Sequence, residues 1–139
     1  MFAGDITSTS RLQTVQKLGV SLEAIVQRYA HPRQQLRSPI EVLLLHAGTR
    51  DDISLLDLHE VYHPWDETLG WDYWKVFSNE AEILEPGNGS AYDKYGLDEE
   101  HGCLVILRPD QHVSYVGSLH EHEAPALFFE KILRPTSVQ

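Results

Sequence analysis

Apolar residues recur at helical spacing early in the chain, at Leu12, Val15, Leu18, Leu22, Ile25, Val26 and Tyr29. Steps of three and four put these side chains on one face, so the pattern predicts a helix over 7–29. Ser10 with Gln13 reads as its capping box. Gly19 is expected to bend or divide the helix, with Ser21 as a second N-cap. His31-Pro32 should stop it, because the residue before a proline is driven towards extended backbone, and 33–39 reads as a polar connector. The pattern then changes. Ile40-Glu41-Val42-Leu43-Leu44-Leu45-His46 is nearly continuously apolar, which predicts a strand covered on both faces. Cys103-Leu104-Val105-Ile106-Leu107 reads the same way, and His112 to Val116 alternates. With Arg108-Pro109-Asp110-Gln111 as a turn, these two form a predicted hairpin.

The middle is less regular. Leu55, Leu56, Leu58 and Val61 read as a buried segment, and His63-Pro64-Trp65-Asp66 breaks any helix. Trp71, Tyr73, Trp74, Val76 and Phe77 form an aromatic run with strand character, and Glu85-Pro86-Gly87-Asn88-Gly89 is a loop. A short helix from Ser90 to Tyr95 should end at Gly96 in the left-handed conformation. A last helix should begin near Glu123, with Pro125 in its first turn, carry Leu127, Phe128, Ile132 and Leu133, and end at Pro135. The order predicts one α/β or α+β unit over 1–139, with a small mixed sheet flanked by helices.

Composition narrows the setting. A chain of 139 residues with 42% hydrophobic positions can bury one core. No apolar run approaches the roughly 20 residues of a membrane span, and the first residues lack a basic segment followed by an apolar one. A lone Cys103 agrees with a reducing compartment, so a cytoplasmic protein is expected and the sequon Asn88-Gly89-Ser90 would go unused. The net charge of -10 argues against nucleic acid and anionic membrane as partners. That charge is uneven: residues 1–50 carry six Lys/Arg and three Asp/Glu, residues 51–139 five and eighteen. A solvated acidic face is the ordinary meaning, and docking between unlike regions is the alternative.

Several residues could carry chemistry. His59-Glu60-Val61-Tyr62-His63 matches the H-E-x-x-H pattern, in which two imidazoles on one helical face bind zinc and the glutamate polarises a bound water. Pro64, Val61 and Tyr62 oppose a helix there, and a third ligand would have to come from His120 or His122. Structural histidines are the simpler reading. His120-Glu121-His122-Glu123 could bind a metal or relay protons, but as a helix entry its acids already favour the N-terminal dipole. His63, Asp66 and Asp72 are candidate acids or bases. Trp65, Trp71, Tyr73 and Trp74 could line a pocket for an aromatic ligand, or form an interface.

Two stretches carry a family resemblance: His63-Pro64-Trp65-Asp66 followed by Gly70-Trp71-Asp72-Tyr73-Trp74-Lys75-Val76, and Tyr92 to Gly117. Together with Phe2-Ala3-Gly4-Asp5 they resemble the C-terminal thioredoxin-like domain of flavin-dependent phenol hydroxylases, the fungal members especially. The resemblance implies a thioredoxin-like fold whose first strand is missing or cut to a stub. It also implies a part in packing and dimerisation, with FAD held only by a partner or another domain. Where a thioredoxin has two cysteines this chain has Thr7-Ser8-Thr9-Ser10, so thiol–disulfide exchange is not expected. No Gly-x-Gly-x-x-Gly occurs. Two functional readings follow. One is an accessory component, a homodimer or a module docking on a flavin monooxygenase, in oxidation of phenols or aromatic polyketides in fungal secondary metabolism. The other is a small cofactor-free isomerase, cyclase or hydrolase acting on such an intermediate, motivated by the eight histidines and many carboxylates.

Overall fold

The computed structural model describes residues 1–30, 38–81 and 89–135. The His31-Pro32 helix stop, most of the 33–39 connector, the sequon asparagine and all but Gly89 of the predicted 85–89 loop lie outside those residues. Ten α and β elements follow one another. They are β1 (Phe2–Gly4), α1 (Thr9–Tyr29), β2 (Leu44–His46), β3 (Trp65–Asp66), β4 (Gly70–Trp71), β5 (Val76–Ser78), α2 (Ala91–Tyr95), β6 (Leu104–Leu107), β7 (Val113–Gly117) and α3 (Ala124–Glu130). Tight 3-10 turns at Leu55–Asp57, Glu60–Tyr62 and Tyr73–Lys75 fill the middle. The fold is mixed α/β with small sheets and three helices, as the pattern predicts.

The first strand is not lost. Phe2–Gly4 runs parallel to β2, pairing Phe2 with Leu45 and Gly4 with His46. β2 in turn runs parallel to β5, Leu44 to Val76 and His46 to Ser78. On its other side β1 meets the antiparallel hairpin β6–β7 through Phe2 and Cys103. Each donates its N–H to the other's carbonyl, at 2.9 and 2.8 Å. The three-residue β1 therefore sits between β2 and the hairpin.

Helix α1 covers one face of this sheet. Its Val15, Leu18, Leu22 and Ile25 are buried against Ala3, Leu44 and Leu104, the face that the periodicity predicts. The helix is unbroken, contrary to the expectation for Gly19. That glycine serves a close approach: a Cβ there would lie 2.6 Å from His59 Cβ. The cap also differs from the expectation, since Ser8 is the N-cap and makes no side-chain cap bond. The preceding turn is held instead by Asp5, whose Oδ1 accepts from Thr7 N (3.0 Å) and Thr7 Oγ1 (2.7 Å). Helix α3 packs on the same side, with Phe129 against Tyr29 and Glu130 paired to Arg28 at 2.6 Å.

Among the described residues, the opposite face carries only α2. This helix ends at Gly96 with φ +64°, the left-handed cap expected from the sequence. Tyr92 is fully buried, and its hydroxyl accepts from Gly4 N (2.7 Å) and donates to Leu45 O (2.9 Å), joining β1 to β2.

Several expectations need correction. Ile40–Leu43 makes no ladder, so β2 is three residues long, the length of the strands on either side of it. In β6 only Leu104 is buried and Leu107 is exposed, because nothing among the described residues covers the far side of the hairpin. Leu56 is exposed while Leu58 is buried. α3 stops at Glu130, before Pro135 is reached.

Candidate functional site

The residues of the H-E-x-x-H match do not form a helical face. Glu60–Tyr62 is a 3-10 turn with His59 as its N-cap, and the two imidazoles have separate environments. His59 Nδ1 accepts from Val61 N at 3.2 Å, while its Nε2 lies 3.7 Å from Glu23 of α1. His63 is 2% exposed; its Nε2–H donates to Leu58 O at 3.2 Å. The ring packs against Trp71 (5.2 Å) and Tyr73 (5.9 Å), and its buried Nδ1 has no hydrogen-bond partner among the described residues.

His120 and His122 lie on the turn before α3. The backbone N–H of His120 donates to Ser118 Oγ, and His122 is half-buried. Tyr115 spans this turn by donating to Glu121 at 2.8 Å. Among the described residues no three His, Cys, Asp or Glu side chains converge as a metal site. The other acid–base candidates hold local structure. Asp66 Oδ1 accepts from Thr68 N and Leu69 N, both at 2.8 Å, closing the β3–β4 turn. Asp72 pairs with Lys75 at 3.6 Å, and Lys75 also reaches Glu41 at 3.6 Å.

The aromatic candidates come together only in part. Trp65 and Trp71 are directly paired across β3–β4, ring centroids 5.2 Å apart and nearly perpendicular. Trp71 is half-buried over His63 and Tyr73 also lies against that ring, whereas Trp65 and Trp74 point outward, Trp74 being 88% exposed. This arrangement is a projecting apolar knob on the surface.

Two open depressions mark the sheet. One of about 590 Å³ lies at the carboxyl ends of β1 and β2 and is lined by Asp5, Thr7, Arg11, Thr49, Asp52 and Glu100, among others. Crevices at strand carboxyl ends are the usual ligand position in open α/β sheets. Here Arg11 fills that role internally, bonding Asp5 O and Glu100 Oε1. Hydrogen bonds from Thr7, reinforced by Arg11, hold the Asp5 carboxyl below the usual range. The second depression, also about 590 Å³, lies over Leu45, Phe77, Ala91 and Tyr95 on the α2 side, with Arg50 and Glu80 paired at its rim. Sequence reasoning missed this surface, although the doubly apolar strands signalled that both faces should be covered.

Buried His46 adds a titratable group beneath the sheet. Its Nδ1–H donates to Gly48 O at 2.9 Å, and burial lowers its pKa below the ordinary value. The unfolded chain then takes up a proton near pH 6.5 that the folded chain refuses, so stability falls as pH drops from about 6.5 towards the folded value. Urea midpoints should decline as the pH falls below about 6.5, and His46→Gln should make the decline shallower. An unchanged slope in the variant would show that His46 stays solvated.

Comparison with known proteins gives a consistent placement. Residues 1–137 match the model for the phenol hydroxylase C-terminal dimerisation domain. A phenol 2-monooxygenase of Aspergillus fumigatus is 32% identical over 130 residues, 94% of this chain and 21% of that protein. An FAD-dependent monooxygenase of Aspergillus terreus is 33% identical over 138 residues, 96% of this chain and 22% of the relative. A 3-hydroxybenzoate 4-monooxygenase of Comamonas testosteroni is 29% identical over 110 residues, covering 78% and 17%. The chain thus spans about a fifth of the length of these relatives, and no helix of the described residues is long and apolar enough to cross a membrane. With a matched region that takes in every described element, the chain belongs to the phenol hydroxylase C-terminal dimerisation domain family.

Proposed function

We propose that this chain is a non-redox self-association module of the phenol hydroxylase type. It serves oxidation of phenols or aromatic polyketides as an accessory to flavin chemistry carried elsewhere, in a fungal secondary pathway. The observation that carries this reading is how much large apolar surface a member of this family leaves open, from Trp65, Leu69 and Trp74 to Phe77, Tyr95 and Val116. Such surface on an acidic chain marks an interaction site. The roles of His63, Asp66 and Asp72 in packing, turn closure and ion pairing favour it over the alternative of a small acid–base enzyme.

A thioredoxin-like fold fits this reading. A parallel β1–α1–β2 unit, then an antiparallel hairpin meeting β1 from the other side, then a closing helix is the order such a fold requires. Thr7-Ser8-Thr9-Ser10 occupies the place of a dithiol, and burial raises the pKa of Cys103.

Light scattering after size exclusion tests the proposal. The expected mass is twice the 15.9 kDa of one chain at micromolar concentration. A single-chain mass persisting to millimolar concentration would overturn it.

A further inference from the structure

Resting on the self-association reading, we infer that a second copy of this chain docks on the α2 side of the sheet, against Phe2, Leu43, Leu45, Phe77, Tyr95 and Val116. The argument begins with strand pattern. Leu43-Leu44-Leu45, Val76-Phe77 and Leu104-Val105-Ile106 are apolar at consecutive positions, the composition of strands covered on both faces. Helices α1 and α3 cover one face, where Ala3, Leu44, Val76, Leu104 and Tyr115 join the core. The alternate positions face the other way. Phe2 stacks edge-on to Tyr92 and Tyr95 of α2, and Leu45 and Phe77 line the groove with Tyr95. Among the described residues only the five-residue α2 lies on that face, too short to cover it. Leu43 remains 45% exposed, Phe77 46%, Val116 59% and Tyr95 72%.

Area and charge both point to a second copy as the occupant. These side chains offer on the order of 500 Å² of apolar surface. That is close to the apolar share of the roughly 800 Å² each partner buries in a standard interface. The chain carries a net charge of -10, so two copies can meet only where carboxylates are absent or paired. The six docking residues are all uncharged, and the groove's glutamate, Glu80, is paired with Arg50. The tryptophan knob is different. Asp66 and Glu67 flank it with no ion pair among the described residues, and a two-fold contact there would bring like charges together. Two sheets stacked about 10 Å apart, with Phe77 and Tyr95 interdigitating across the axis, satisfy both conditions.

The test compares Phe77→Glu, Tyr95→Glu and Trp74→Ala with the parent chain by concentration-dependent light scattering, with circular dichroism to verify folding. Each glutamate should raise the dimer dissociation constant at least about thirtyfold, the loss typical of an interface hot spot. Trp74→Ala should change it less than about threefold. Tyr95 lies outside the core, so its variant decides the matter if Phe77→Glu fails to fold. A parent dimer that persists in folded glutamate variants, or that dissociates with Trp74→Ala alone, overturns the placement while leaving self-association intact. A monomeric parent overturns self-association itself. A monomer whose groove gains hydrogen-exchange protection only with an added flavin hydroxylase assigns the face to that partner and overturns the second copy.

Discussion

Gly102→Ala should lose about 3–5 kcal/mol of stability, enough to unfold a marginal domain. Gly102 has φ +64°, a conformation that costs little only for glycine. An added Cβ would lie 2.2 Å from Phe2 O, 2.7 Å from Gly4 N and 2.8 Å from Ala3 C. All three are backbone atoms of β1, so no side chain can turn aside. Relief requires the β6–β7 hairpin to retreat from β1, and the paired bonds between Phe2 and Cys103 would go with it. Urea unfolding should show a large fall in midpoint, or no cooperative transition at all. A midpoint within about 0.5 kcal/mol of the parent would mean that the hairpin is not held to β1 as described.

Tyr62→Ala should cost about 3–5 kcal/mol, the usual penalty for deleting a buried aromatic. Tyr62 is fully buried beneath α1, its ring lies 3.2 Å from where a Cβ on Gly19 would sit, and its hydroxyl donates to Val15 O at 2.8 Å. Burial holds the phenol well above its ordinary pKa. Tyr62→Phe removes only the hydroxyl and should cost about 1 kcal/mol. Denaturation of the two variants separates packing from hydrogen bonding. Equal losses in both would assign the contribution to the hydroxyl. Within His59–His63, the residue with the largest expected effect is therefore one that the zinc pattern leaves unspecified.

The parts legible in sequence are those set by local physics. The α1 face follows from helical spacing, the β6–β7 hairpin from alternation around a turn, and the end of α2 from Gly96. The family was equally legible, since the tryptophan motif and the hairpin stretch occur in order along most of the chain. Site candidates fared differently. His59 and His63 match a spacing, but a 3-10 turn before Pro64 sends their rings to different neighbours. Trp65, Trp71, Tyr73 and Trp74 are close in sequence, yet a short hairpin and a 3-10 turn set Trp71 and Tyr73 against His63 and leave Trp65 and Trp74 to solvent.

By itself the sequence determined the three helices, the β6–β7 hairpin, the buried stripe of α1 and the kinship to a dimerisation domain, because each is written in residues near one another. Only the tertiary structure decided where strands end and which apolar residues stay open. Apolar Ile40–Leu43 forms no ladder because a ladder needs a neighbouring backbone, and β2 extends only as far as β1 and β5 reach beside it. Gly19 reads as a hinge, yet it, like Gly102, is set by close approach of distant residues. Phe77 and Leu44 look alike in sequence. One is covered by α1 and the other faces outward, because two helices pack on one side of the sheet and a single turn and a half on the other.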